Sequence, residues 1–302
     1  MSDTPWPSLA EFAATRKDRV DARPAWVHPV EPPLAFIAES REVEDLLDTV
    51  VALQRAEWLQ DGVWLGPRSM ADAWRDLVLA SRVLDVPLPP AVVSAASSRN
   101  QGAFGTDGRA FLHLSSFFLA DAPEAERRFV IGQVMGAVAA HHVTWATLRA
   151  LLVDQGGLRA VARKALGPAL EAVLAPVSLG ARLWLNGWHR AAEISSDRAG
   201  LLVCGDLQAA KRAMLRQALG VRPKVDPDDY LAQVDAMRDD DDPGRFAEAL
   251  EDRPWTWKRM RALELFARSE VWAATGHAAI GSPLLGADEL RAATDAMLRV
   301  GR

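Results

Sequence analysis

The most chemically suggestive pair in the sequence is His189 and Glu193, four residues apart. A helix would set this imidazole and carboxylate on one face. The pair is either two ligands of a metal site or a plain ion pair. Two ligands hold a metal weakly, so the preferred reading is a surface histidine paired with Glu193. His141 falls on the helical stripe of Gln133 and Ala137, but about 12 Å along the axis from Gln133. His142 points to the other side. His28, His113 and His277 read as strand or loop histidines with one hydrogen bond each. The only cysteine, Cys204, excludes an internal disulfide and any multi-thiolate zinc site, and reads as an inert core residue. The run Asp239–Asp242 lacks the alternating oxygen ligands, glycine and terminal glutamate of a calcium loop.

These residues sit in a chain of 302 residues with 49% hydrophobic and 25% charged content, typical of a folded globular protein. A net charge of −5 excludes nucleic-acid binding through a general basic surface. The start Met1–Pro5 lacks the basic and apolar regions of a secretory signal, so a cytoplasmic location is expected. The apolar stretches 129–153 and 165–188 carry charged residues and prolines and read as buried helices, not membrane spans. Thirty arginines against five lysines, with abundant alanine, fit a GC-rich bacterial coding bias.

Six prolines within residues 1–39 predict an extended arm, packed on its own domain through Trp6 and Trp26. Helical periodicity begins at an N-cap Ser40 and recurs over 69–84, both ahead of the Pro87–Pro90 break. Strands are expected at 91–95 and 110–114, the second after the turn-like Gly105-Thr106-Asp107-Gly108. Nearly everything after that reads as helix: about 123–152, 157–166, 168–203, 206–218, 227–237, 243–250, 255–275 and 287–299. Trp184 and Trp188, four apart on the longest of these, are expected to pack against a neighbouring helix.

In order and spacing, several motifs over residues 70–270 resemble the gluzincin metallopeptidases that include HtpX and the CaaX prenyl proteases. They are Val86–Pro90, Asn100–Gly105, the strand Phe111–Ser115, Ala125–Gly132, and above all Ala192-Glu193-Ile194-Ser195-Ser196-Asp197-Arg198-Ala199-Gly200. Arg253-Pro254 and Arg259 resemble that family's later His-Pro and Arg positions. The resemblance implies a predominantly helical α+β, zincin-like fold with a small sheet, here a single domain over 40–302 behind the 1–39 arm. It also implies a zinc site of two histidines from H-E-x-x-H with a later Glu, the H-E-x-x-H glutamate being the general base.

On this chain the H-E-x-x-H positions fall on Gln133, Val134 and Ala137, and the motif occurs nowhere else in the sequence. Glu193 stands at the third-ligand position, and Asp197, next to Arg198, at the position supporting the first histidine. Valine accepts no proton, alanine has no ligating atom, and an amide is a poor zinc ligand, so zinc is not expected. The expected function is that of a pseudopeptidase that binds a protein or peptide as regulator, scaffold or assembly component. The alternative is a metal-dependent hydrolase with a rebuilt site, such as one using His189 and Glu193. The resemblance makes Phe111, Leu112, His113 and Leu114 the cleft edge to which an extended peptide would add. Glu193 is expected to pair with an arginine or with Gln133. Glu193→Gln is expected to cost little or even to stabilise, because it removes a charge from a partly buried site.

Overall fold

The computed structural model describes residues 24–30, 41–95, 101–152, 160, 162–163, 179–222, 224–237 and 253–299. Trp6, the N-cap Ser40, the run Asp239–Asp242, the expected helix at 243–250 and most of that at 157–166 lie outside them. The elements in chain order are α1 (Arg41–Trp58), β1 (Val63–Trp64), α2 (Ala71–Val83), β2 (Ala91–Ser94), β3 (Gly102–Thr106), β4 (Arg109–Ser115) and α3 (Ser116–Leu119). They continue with α4 (Glu124–Ala139), α5 (Val143–Leu152), α6 (Leu179–Cys204), α7 (Leu207–Leu219), α8 (Pro227–Met237), α9 (Thr256–Ala267), α10 (Glu270–Ala273) and α11 (Ala287–Leu298). The architecture is α+β and predominantly helical, as the resemblance implies.

Four strands form one mixed sheet in the order β1-β2-β4-β3. β2 runs parallel to β4, with Val92 opposite His113, and β3 runs antiparallel to β4 through a two-residue Asp107-Gly108 turn. Neither turn residue is at positive φ; the positive φ of this hairpin falls on Gly105 (116°), where only glycine fits without strain. Alternation divides the sheet's side chains. Val92 and Phe111 join the cluster of Leu47, Val50, Trp145 and Leu148 from α1 and α5, whereas Val93, Leu112 and Leu114 join the core built on α4. His113, fully buried, stacks on Trp58 at 4.0 Å and bonds Ser94 Oγ at 2.8 Å.

This pairing corrects the expected peptide-binding edge. Phe111 to Leu114 belong to β4, which is hydrogen-bonded on both sides, so no strand can add there. Among the described residues the sheet ends at β1 and β3. Even β3 is partly taken: Gly105 N donates to Thr147 Oγ1, and in the turn that follows Asp107 N donates to Thr144 Oγ1, both acceptors from α5 and both bonds at 3.0 Å.

α4 is the central helix. Pro123 precedes it, Glu124 and Glu126 complement the dipole of its first turn, and its buried residues surround nearly the whole circumference. It ends at Ala139, and His141 follows in a left-handed conformation (φ 55°), which breaks the expected 123–152 helix in two and removes His141 from the stripe of Gln133 and Ala137. Likewise the expected 255–275 helix divides at Ser269, whose Oγ caps α10 by accepting from Trp272 N at 3.2 Å. Trp188 is buried as expected, but Trp184 is 54% exposed and bridges nothing in the core. Trp26, Val27 and His28 are buried, and His28 N donates to Ser195 Oγ at 3.0 Å, fastening this segment to α6.

α6 crosses α4 at very close range. A Cβ on Gly136 would come within 2.6 Å of Ala199 Cβ, and one on Gly132 within 2.9 Å of Gly200 Cα. The glycines are therefore required by the approach of two backbones, which outweighs their intrinsic helix cost of about 1 kcal/mol each. We expect Gly136→Ala to lower stability by about 1–3 kcal/mol in denaturant unfolding, overpacking winning over the propensity gain. An unchanged or raised stability would show that the two helices can separate freely.

Candidate functional site

The α4–α6 crossing brings the expected site residues together. Gln133 is buried, and its amide is committed in both directions. Its Nε2 donates to Asp197 Oδ1 at 2.6 Å, and its Oε1 accepts from Gln217 Nε2 of α7 at 2.7 Å. Asp197 also accepts two hydrogen bonds from Arg259 of α9, from Nε at 2.8 Å and from Nη2 at 2.6 Å. That fork is the bidentate geometry in which arginine binds a carboxylate most firmly. Val134 is buried and Ala137 half-buried beside this network.

Glu193, one turn before Asp197 on α6, is surrounded by cations. Its Oε2 lies 3.3 Å from Arg259 Nη2, and its Oε1 lies 3.8 Å from Arg253 Nε and 3.6 Å from His189 Nε2. The expected partnership with an arginine is thus present, and Gln133 turns to Asp197 instead. Burial alone would raise the Glu193 carboxyl, but Arg253, Arg259, His189 and Arg149 together override it and hold the group at about 2. Burial pushes Asp197 upward against the pull of Arg259, while the two carboxylates hold the Arg259 guanidinium more firmly protonated than usual.

Several expected members stand elsewhere or differently. His189 is only 12% exposed, so it is no surface residue. Arg198 leaves the site: it donates to Trp26 O at 3.2 Å and Thr294 Oγ1 at 3.1 Å and covers the Phe266 ring at 5.2 Å. Burial lowers its pKa to about 10. His28 bonds Asp295 at 3.0 Å and His277 bonds Thr275 at 2.9 Å, each far from this network in the chain and outside its hydrogen bonds. The half-buried Cys204 thiol is pushed up to about 12 by burial, which leaves it unreactive. Gln217 had no signal in the sequence, since nothing local distinguishes a glutamine on α7 that reaches α4.

Residues 72–267 match the family model of peptidase family M48. The chain belongs to peptidase family M48. No curated protein and no solved structure matches it. HtpX and the CaaX proteases, which the motifs resemble, fall in the same family. A zinc ion of the zincin type does not fit the residues of this M48 chain. Gln133 could turn toward a metal only by giving up both of its hydrogen bonds, Val134 and Ala137 offer no donor atom, and Glu193 already faces two guanidiniums. Among the described residues no three His, Cys, Asp or Glu side chains converge as a metal site. None of those residues forms a helix long and apolar enough to cross a membrane.

The depressed Glu193 pKa has a definite consequence for stability. A carboxyl whose folded pKa lies below its unfolded value of 4.5 contributes fully above about pH 4.5 and loses that contribution as pH falls toward 2. We expect Glu193→Gln to cost about 2 kcal/mol at pH 7, since it leaves two mostly buried guanidiniums short of a counter-charge. The cost should shrink steadily in unfolding curves taken from pH 5 to pH 3. This reverses the expectation that neutralising Glu193 is nearly free. A substitution without cost at pH 7 would mean that Arg253 and Arg259 do not engage it.

Proposed function

We propose that this M48 member is a pseudopeptidase that works by binding another protein, as a regulator, scaffold or assembly component. The observation that carries this reading is the state of Gln133. It occupies the first ligand position of the resembled motif, and both ends of its amide are consumed within the protein. Peptide hydrolysis by the family's route needs a metal-bound water and a nearby base to take its proton. Val134, next in sequence, can accept no proton. The polar network takes over the structural task that ligand–metal bonds perform in a metalloprotein: it ties α4, α6 and α9 together through directional contacts. A fold preserved in this way keeps its surfaces while hydrolysis is lost, and binding needs only those surfaces.

The test uses the full-length chain. Incubated with unfolded protein or peptide substrates, with and without added zinc, it should produce no cleavage. Its thermal midpoint should be the same in EDTA as in zinc-containing buffer, because no ligand set depends on a metal. Cleavage that requires metal and disappears in Glu193→Gln would overturn the proposal. Complexes isolated from the native cell by cross-linking to the purified chain should contain a defined protein partner that remains bound uncleaved.

A further inference from the structure

The segment 24–30 forms no regular helix or strand, yet it is fixed between α6 and α11. Trp26 and Val27 are buried in the core built on α4. Arg198 of α6 donates from Nη1 to Trp26 O at 3.2 Å and from Nη2 to Thr294 Oγ1 of α11 at 3.1 Å. His28 closes the other end. Its N donates to Ser195 Oγ of α6 at 3.0 Å, and its ring Nε2 meets Asp295 Oδ1 of α11 at 3.0 Å. One histidine thus joins the segment to both helices at once.

The tautomer of that ring follows from its partner. A carboxylate only accepts, so Nε2 carries the proton that it donates to Asp295. Nδ1 is then a bare acceptor, buried and without a hydrogen-bond partner among the described residues. The whole residue is 1% exposed. A second proton would have to sit on Nδ1 as a buried charge with no acceptor, which is costly. The charged groups around the ring are divided. Asp295 favours an imidazolium, whereas Arg198 of α6 and Arg291 of α11 oppose it. Arg190 and Arg299 line a cavity together with Asp295 and add positive charge at that end. Burial and Arg198 outweigh Asp295 and hold the ring at about 4, below its ordinary 6.5.

We propose that His28 is an acid-sensitive latch: adding a proton to its buried ring releases residues 24–30 from between α6 and α11. In the released segment the imidazole meets water and takes up a proton near its ordinary value, while in the seated one it resists the proton. Seating is therefore fully supported above about pH 6.5 and weakens progressively as pH falls toward 4. Release uncovers the polar groups of Ser195, Arg198 and Thr294, all buried while the segment is seated. The latch acts whether or not the chain binds a partner, and it involves none of Gln133, Val134 or Ala137.

The experiment is hydrogen–deuterium exchange of the full-length chain, corrected for the intrinsic effect of pH and read separately over residues 24–30 and α4. In wild type, protection of residues 24–30 should fall about tenfold or more between about pH 7.5 and about pH 5, while α4 keeps its protection. His28→Gln keeps an N–H donor in place of Nε2 and cannot titrate, so the same segment should lose less than about twofold. An equal fall in wild type and His28→Gln overturns the proposal, as does a wild-type segment whose protection does not change. A fall shared equally by α4 means that the whole chain opens, and overturns it too. Should His28→Gln fail to fold, the His28 ring of wild type is followed by nuclear magnetic resonance. A seated ring still neutral at about pH 5 supports the latch, and one that titrates near its ordinary value with the segment seated overturns it.

Discussion

The bidentate pair between Asp197 and Arg259 is the contact on which the centre of this protein depends. Arg259 comes from α9, Asp197 from α6, and through Gln133 the same carboxylate holds α4, so one acid fixes three helices. A buried charge pair contributes little by itself, since desolvation of both ions opposes their attraction, but losing one partner is costly. Its role here is to define one arrangement. Each group in the chain from Gln217 through Gln133 and Asp197 to Arg259 is satisfied only when all of the helices are in register.

That arrangement is possible because α4 and α6 lie so close. Gly132, Gly136 and Gly200 remove the side chains that would otherwise hold the two backbones apart. At that distance the short Asp197 side chain can span the gap to Gln133, and Glu193 comes within reach of the loop before α9. Apolar packing and polar connection are therefore two results of one helix crossing. On the far side of α6, Ser195 and Arg198 fasten the segment around Trp26 and the helix α11, so the same helix organises both of its faces.

Much of this was legible from the sequence where the signal is local. The boundaries of α7 and α8, the strands at Ala91 and Ala110, and the side-by-side placement of His189 and Glu193 follow from periodicity and caps. The misses share a physical cause. β3 contains three small residues in five and shows no alternation, so only the Asp107-Gly108 turn could have revealed the hairpin. The break at His141 lies in an apolar run, and around the break at Ser269 the helical spacing of apolar residues continues, so tertiary packing chooses the stop. The partners of Gln133 and Glu193 come from residues 217, 253 and 259, far along the chain, and no spacing rule connects a glutamine or an arginine to a carboxylate at that distance. Arg253 and Arg259 entered through family resemblance, which located them without saying which acid each would meet.

The two threonines of α5 that accept hydrogen bonds from Gly105 and Asp107 have a consequence for how the chain behaves at high concentration. A sheet margin with unused amides invites pairing with the same margin of another copy, and is a common start of aggregation. Here Thr147 occupies the Gly105 amide of β3, and Thr144 the Asp107 amide of the turn beyond it, with hydroxyls that cannot extend a ladder. The stretch left for foreign pairing is confined to Gly102–Phe104, short and next to the bulky Trp58–Phe104 contact. A hydroxyl at positions 144 and 147 thus guards the molecule against its own copies.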